Sequence, residues 1–230
     1  MSIAVKKAAE NGQFVLTIGG DHSVALGSLA GVLSVRPNVG VIWVDAHADI
    51  NTPDTSNSGN MHGMPLGLLM NLVDPTTLHG CAWLNGIPTL KPEQVAYVGL
   101  RDLDDGERFV LRQMQEKGMF VSTMQHVDAH GIGGVMELAL ESLGRHGPRP
   151  LHLSYDIDAL DPVHAPSTGT IVRGGLTFRE AHYVAEAVAE TGQLISMDMV
   201  EVNNELGKED PTAGKRTTEM AMVLITSALG

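Results

Sequence analysis

The uninterrupted apolar run Val39–Val44 (Val-Gly-Val-Ile-Trp-Val) leads directly into Asp45, His47 and Asp49, with only alanines between them. A run this short, β-branched and apolar on both faces is the pattern of a strand buried from both sides, the kind found in parallel sheets covered by helices. If the backbone stays extended past the run, a period of two throws all three polar side chains to one side. The carboxyl end of a buried strand is where an open α/β sheet places its site. Two carboxylates and one imidazole form a mixed oxygen and nitrogen set suited to Mn, Fe, Co or Zn. Taken alone, the same residues also read as a strand-end Asp capping the next helix beside a surface histidine, since Asp is common at caps and turns.

A second acidic pair decides between these readings. Asp156 and Asp158, in Ser154-Tyr155-Asp156-Ile157-Asp158, follow another apolar strand and are again two residues apart. A third element, Gly19-Gly20-Asp21-His22-Ser23, closes the strand expected over Phe14–Ile18. Solvated charges have no reason to recur at three strand ends. The candidate ligands are therefore His22, Asp45, His47, Asp49, Asp156 and Asp158. Four carboxylates in one pocket repel each other, and burying them unpaired is costly. Divalent cations remove that cost, and six ligands suggest two ions sharing bridging carboxylates. Such a pair lowers the pKa of a water and presents it to an electrophilic carbon.

The remainder of the chain alternates in the same way. Helices are expected over Val5–Glu10, Ser23–Leu33, Leu66–Leu72, Gly106–Lys117, Gly131–Leu143, Phe178–Glu190 and Thr217–Ala228. Strands are expected over Phe14–Ile18, Val39–Val44, Gln94–Val98, Phe120–Ser122, Leu151–Tyr155 and Leu194–Met199. This order implies a three-layer α/β/α architecture around a mostly parallel sheet. The 230 residues suit a single domain spanning 1–230. A net charge of −12 argues against nucleic acid or an anionic membrane as the main partner. The single Cys81 excludes an intrachain disulfide and fits a reducing compartment, so the expected location is the cytoplasm. Asn51–Asn60 is a long polar loop, the kind that carries function in a compact domain.

Taken together, Gly19-Gly20-Asp21-His22-Ser23, Asp45-Ala46-His47-Ala48-Asp49 and Ser154 through Pro162 (Ser-Tyr-Asp-Ile-Asp-Ala-Leu-Asp-Pro) resemble the three signatures of the ureohydrolases. That family comprises arginases, agmatinases and formimidoylglutamases. The resemblance runs from about Gln13 to the end of the chain. It is greatest to the arginase branch, because Asn51-Thr52-Pro53 and Ser58-Gly59-Asn60-Met61-His62-Gly63 are similar to the loop that reads the amino-acid end of L-arginine.

The resemblance implies two Mn²⁺ ions, one held by His22, Asp45, Asp49 and Asp156, the other by His47, Asp45, Asp156 and Asp158. It implies attack of a metal-activated hydroxide on the guanidinium carbon, giving L-ornithine and urea in arginine metabolism and the urea cycle. It assigns proton shuttling to His62, pairing with the guanidinium to Glu201, and a place in the same region to Thr170. Asn51, Ser58 and Asn60 match contacts to the α-carboxylate. Asp104 matches a contact near the α-amino group, with Asp102 and Glu107 close by. Homo-oligomers, trimers in the family, are implied as well. The competing readings are an agmatinase or other guanidino-acid ureohydrolase, and a metal-binding but inactive truncated isoform. Relative to the family pattern, the part upstream of Gln13 and the C-terminal tail are expected to be missing, which would leave an exposed sheet edge. Individually, His62 also reads as a helix-start residue, Glu201 as a solvated strand end, Asp102 and Asp104 as partners of Arg101 or Arg108, and Asn51, Ser58 and Asn60 as turn formers.

Overall fold

A computed structural model describes residues 1–207 and 210–230. Six strands, β1 (Val15–Ile18), β2 (Gly40–Val44), β3 (Val95–Leu100), β4 (Phe120–Thr123), β5 (Leu151–Asp156) and β6 (Leu194–Val200), form one sheet in the order β1-β6-β5-β2-β3-β4. All five pairings are parallel. Seven helices connect and cover them: α1 (Ser2–Glu10), α2 (Ala25–Leu33), α3 (Pro65–Leu69), α4 (Asp105–Glu116), α5 (Met124–Gly144), α6 (Phe178–Glu190) and α7 (Ala213–Leu229).

The pleat sorts each strand's side chains between two cores. In β2, Val41 and Trp43 join the layer containing α2, α3 and α4, whereas Ile42 and Val44 join the layer of α5, α6 and α7. Both layers are apolar, which is why β2 shows no polar alternation. The expected three-layer α/β/α fold is the one observed. No helix among the described residues is long and apolar enough to cross a membrane.

Two expectations need correction. Asp45, His47 and Asp49 do not continue an extended strand. β2 ends at Val44, the chain bends at once, and Asp49 has a left-handed backbone (φ 49°). The bend is stabilised by the His47 backbone N–H donating to Asp45 Oδ1 at 2.7 Å, the i to i+2 bond that Asp commonly makes. Convergence of the three side chains therefore comes from a turn, not from period two. Second, the expected helix Gly131–Leu143 is only the second half of α5; a first half from Met124, its first turn capped by Thr123 and His126, precedes it. Gly131 itself (φ 68°, ψ 159°) kinks the helix. β1 lies at one border of the sheet, and Ile18 there is 71% exposed.

Candidate metal and substrate site

The carboxyl ends of β1, β6, β5 and β2, adjacent in the sheet, deliver His22, Glu201, Asp156 with Asp158, and Asp45 with His47 and Asp49 to one place. A short 3₁₀ turn, His22–Val24, follows β1 after Gly19-Gly20-Asp21, and the ring of His22 is buried in the site rather than exposed to solvent. His22 Nδ1 lies 3.0 Å from Asp45 Oδ2, 3.0 Å from Asp49 Oδ2 and 3.2 Å from Asp156 Oδ2. His47 Nδ1 lies 3.1 Å from Asp158 Oδ2 and 3.4 Å from Asp45 Oδ1. Potential ligand atoms of His22, Asp45 and Asp49 lie within 4.8 Å of one another, as do those of Asp45, His47 and Asp158. Asp45 belongs to both groups, one oxygen facing each. Asp156 joins them by its contact with His22 and by accepting the Asp158 backbone N–H at 2.8 Å.

Burial opposes every charge in this cluster, and the neighbours decide the outcome. Burial alone would lower His22, but the carboxylates of Asp156, Asp45 and Asp49 outweigh it and hold the imidazole well above its ordinary value. His47 is also disfavoured by burial, yet Asp158 and Asp45 push it up to about 12. Asp45 is lowered, the two histidines overcoming its desolvation. Asp49 rises to about 8 through burial and the charge of Asp45, and Asp156 rises well above the carboxylate range through burial and the charges of Asp158 and Asp45. Without a cation, protons must do the neutralising. Moreover His22 Nδ1 is buried and faces three carboxylate oxygens at once, with no single well-aligned hydrogen bond to any of them. A donor set of this composition, four carboxylates converging on two imidazoles, fits divalent-metal binding.

Above the cluster lies a cavity of about 280 Å³ lined by His47, Asp49, Asp156 and most of the expected substrate residues. Asn51, Ser58, His62, Asp102, Asp104, Glu107, Thr170 and Glu201 are all on its wall. Asn60 is not among the lining residues; it is exposed, directly before the 3₁₀ turn Met61–Gly63, and its side chain makes no capping bond.

Several of these side chains already have partners. Glu107 is 4% exposed; its Oε1 accepts the Asp49 backbone N–H (3.0 Å) and its Oε2 the Asp104 N–H (3.2 Å). Asp104 returns the bond to Glu107 N–H (2.8 Å), completing the capping box of α4, and also accepts from Asn51 Nδ2 (2.9 Å). The start of α4 is thus tied to the backbone of Asp49. Burial, ahead of the charge of Asp104, lifts Glu107 to about 7. Thr170 Oγ1 donates to Asp158 Oδ2 at 2.8 Å. Asp102 stays largely in water, 3.8 Å from His47 Nε2.

Glu201, directly after β6, also has a left-handed backbone (φ 63°). Its Oε1 accepts the His22 backbone N–H at 2.9 Å and lies 3.7 Å from His62 Nδ1. Burial raises its carboxyl above the usual value. A non-glycine residue in this conformation costs on the order of 1–3 kcal/mol and persists only where its surroundings fix it.

A model of the arginase family matches residues 1–230, the whole chain. The chain belongs to the arginase family. An arginase of Glaciozyma antarctica is 48% identical over 224 residues, covering 96% of this chain and 63% of the relative. A Neurospora crassa arginase is 47% identical over 231 residues, covering 98% and 63%. The chain therefore spans somewhat less than two thirds of the length of these two relatives. Among solved structures, the arginase of Bacillus caldovelox superposes with a TM-score of 0.89 at 42% identity, covering all of this chain and 73% of its own.

Three features of this arginase-family site escape a reading of the sequence. Ser56 and Asn57 also line the cavity, within the polar loop that drew attention only as a whole. Arg101, which looks like a surface partner for Asp102, instead donates to the backbone carbonyls of Asp158 (2.6 Å), Ala159 (3.0 Å) and Val172 (2.8 Å), clamping the loop after β5. Trp43 and Ser154 touch His22 and Asp45 from below.

Proposed function

We propose that this protein hydrolyses the guanidinium group of L-arginine to L-ornithine and urea with two Mn²⁺ ions. The observation that carries this reading is the shared Asp45, whose two oxygens face two separate histidine-carboxylate groups at the floor of a polar cavity. His22, Asp45, Asp49 and Asp156 would hold one ion; His47, Asp45, Asp156 and Asp158 would hold the other. When bound, the pair supplies Lewis acidity, so that a water ionises near neutral pH.

The protein's own groups do the remaining work. Glu201 offers a carboxylate to a planar cation, a pairing made stronger by partial desolvation. Its strained backbone and the His22 N–H fix where that carboxylate points. His62, adjacent to Glu201, is placed to pass a proton to a leaving amine. Asp104 offers negative charge for an ammonium group, and Asn51 and Ser58 offer neutral donors for a carboxylate. Asp102 adds negative charge to the same wall, Glu107 holds the backbone of Asp49 and Asp104 in place, and Thr170 steadies Asp158. Asn60, exposed at the rim, would reach substrate only from outside the cavity wall.

The deciding measurement is urea release by the purified protein after incubation with Mn²⁺, with L-arginine and agmatine in parallel. Turnover of arginine alone is expected. Turnover of agmatine instead would refute the roles of Asn51, Ser58 and Asn60, because agmatine lacks the α-carboxylate. Tight binding of Mn²⁺ without turnover of either would favour a binding protein over an enzyme.

A further inference from the structure

One large side chain beneath the site has no part in the chemistry above. Trp43, next to the last residue of β2, is fully buried. Its ring lies against the imidazole of His22, centroids 4.0 Å apart and planes within 8° of parallel. Its Nε1–H donates to Asp45 Oδ2 at 2.9 Å, on the oxygen that faces His22. The other edge of the imidazole is fixed too, since His22 Nε2 lies 2.8 Å from Ser154 Oγ. A hydroxyl can accept the Nε2–H, which leaves Nδ1 as the ring nitrogen directed at the three carboxylates.

The consequences for movement are specific. Rotation of the His22 ring would break the stack and the bond to Ser154 together. Rotation of the Asp45 carboxylate would strand the indole N–H in an apolar layer, where an unmet donor costs about 1–3 kcal/mol. One indole thus restrains two groups that arrive from different elements, the turn after β1 and the bend after β2. A purely packing role needs only the ring and some acceptor for its N–H. Here the acceptor is the carboxylate shared by both cation positions.

We propose that Trp43 is a positioning residue that sets His22 and Asp45 in their ligating orientation before a cation arrives at the His22 position. This rests on the metal reading of the site given above. Partners of this kind typically change metal affinity by about 10–100-fold. The Asp45 oxygen that faces His47 is held independently by the His47 backbone N–H. Loss of the indole bond therefore weakens the His22 position selectively.

The chain has two tryptophans, and the other, Trp83, is half-exposed on the short turn Ala82–Leu84, outside the site. In a Trp83→Phe protein, emission therefore reports Trp43 alone. Titration of that protein with Mn²⁺ and no substrate should change the emission in step with cation uptake, measured from the paramagnetic resonance signal of free Mn²⁺. A Trp43→Phe protein keeps an aromatic ring against His22 but lacks the N–H. It should show one uptake step weakened by about 10–100-fold and the other unaltered. A role in packing alone would lower the melting temperature of the cation-free protein and leave both steps as they were, which would overturn the proposal. Uptake of two ions by the Trp83→Phe protein with no change in emission would also overturn it, and this measurement decides the matter even if Trp43→Phe fails to fold. If the wild-type protein takes up no Mn²⁺, the metal reading itself fails and the proposal with it. Two ions bound by wild type and by Trp43→Phe with equal affinity defeat only the role of Trp43.

Discussion

Asp45 has no slack. Oδ2 accepts from the Trp43 indole and faces His22; Oδ1 accepts from the His47 N–H and faces the His47 ring. Asp45→Asn keeps the shape but exchanges one oxygen for an NH₂ that can only donate, and it removes the charge common to both histidine–carboxylate groups. Removing one member of a desolvated charge pair costs about 3–5 kcal/mol, so affinity for Mn²⁺ should fall on the order of 10²–10⁴-fold at both positions. Metal analysis after dialysis would show it, and two ions retained per chain would refute the bridging role.

A second buried pair lies deeper in the sheet. Asp198 Oδ2 is 3.3 Å from His152 Nε2 and accepts from Ser28 Oγ, while His152 Nδ1 is 2.8 Å from Ser196 Oγ. Burial alone would raise the Asp198 carboxyl, but His152 and the hydroxyls of Ser28 and Thr17 outweigh it and hold it below its ordinary value. A depressed carboxyl contributes stability that is complete above its unfolded pKa, about 3.9, and is lost as pH falls through the lower folded value. Asp198→Asn should therefore cost about 3 kcal/mol at neutral pH and flatten the loss of stability below pH ~4. Urea denaturation across that range measures both effects. At this scale the cluster of Asp and His side chains was legible, because three strand ends each carry Asp or His. Trp43 and Ser154 were not. A tryptophan inside an apolar run is indistinguishable from core filling, and the Ser154–His22 contact spans 132 positions of sequence.

Among the elements, α6 is observed over the residues expected, because Thr177 and Glu180 form a capping box at its start and its apolar spacing is regular. For α5 the expected helix from Gly131 matches only its second half; the first half, which runs up to a break at Gly131, was not expected. With φ 68° and ψ 159°, Gly131 occupies a region reserved almost wholly for glycine, although a Cβ there would meet nothing within 4 Å. Gly131→Ala should thus be a test of backbone strain alone, costing about 1–3 kcal/mol. Three residues later, Gly134 has no positive φ, and an added Cβ would make only ordinary contact with His130 at 3.5 Å. Gly134→Ala should stabilise by about 0.4–1 kcal/mol through the unfolded chain. Thermal melts of the two variants ought to shift in opposite directions; a shared direction would mean that the kink is not imposed at Gly131.

Strand order, which no local pattern reveals, is what assembles the site. β1 and β2 are consecutive in the chain yet lie apart in the sheet, with β6 and β5 between them, and this interleaving brings four adjacent strand ends to one point. The alternation of elements implied the parallel sheet but left its order open. The whole molecule carries a net charge of −12, and four carboxylates are concentrated in one buried cluster. Cations that bind the folded cluster and not the unfolded chain must stabilise the entire fold by mass action. One ion at a hundredfold excess over its dissociation constant adds about 2.7 kcal/mol. In a chain of this size each kcal/mol moves the melting temperature by about 2–4 °C, so Mn²⁺ should raise it by roughly 5–10 °C per occupied position, and chelation should reverse the rise. A monovalent salt at matched ionic strength screens exposed charges but cannot ligate the buried cluster. It should therefore produce little of the rise, and Asp45→Asn should abolish most of it. An equal shift with the monovalent salt would mean that the effect belongs to the acidic surface and that the cluster at the strand ends does not hold the ions.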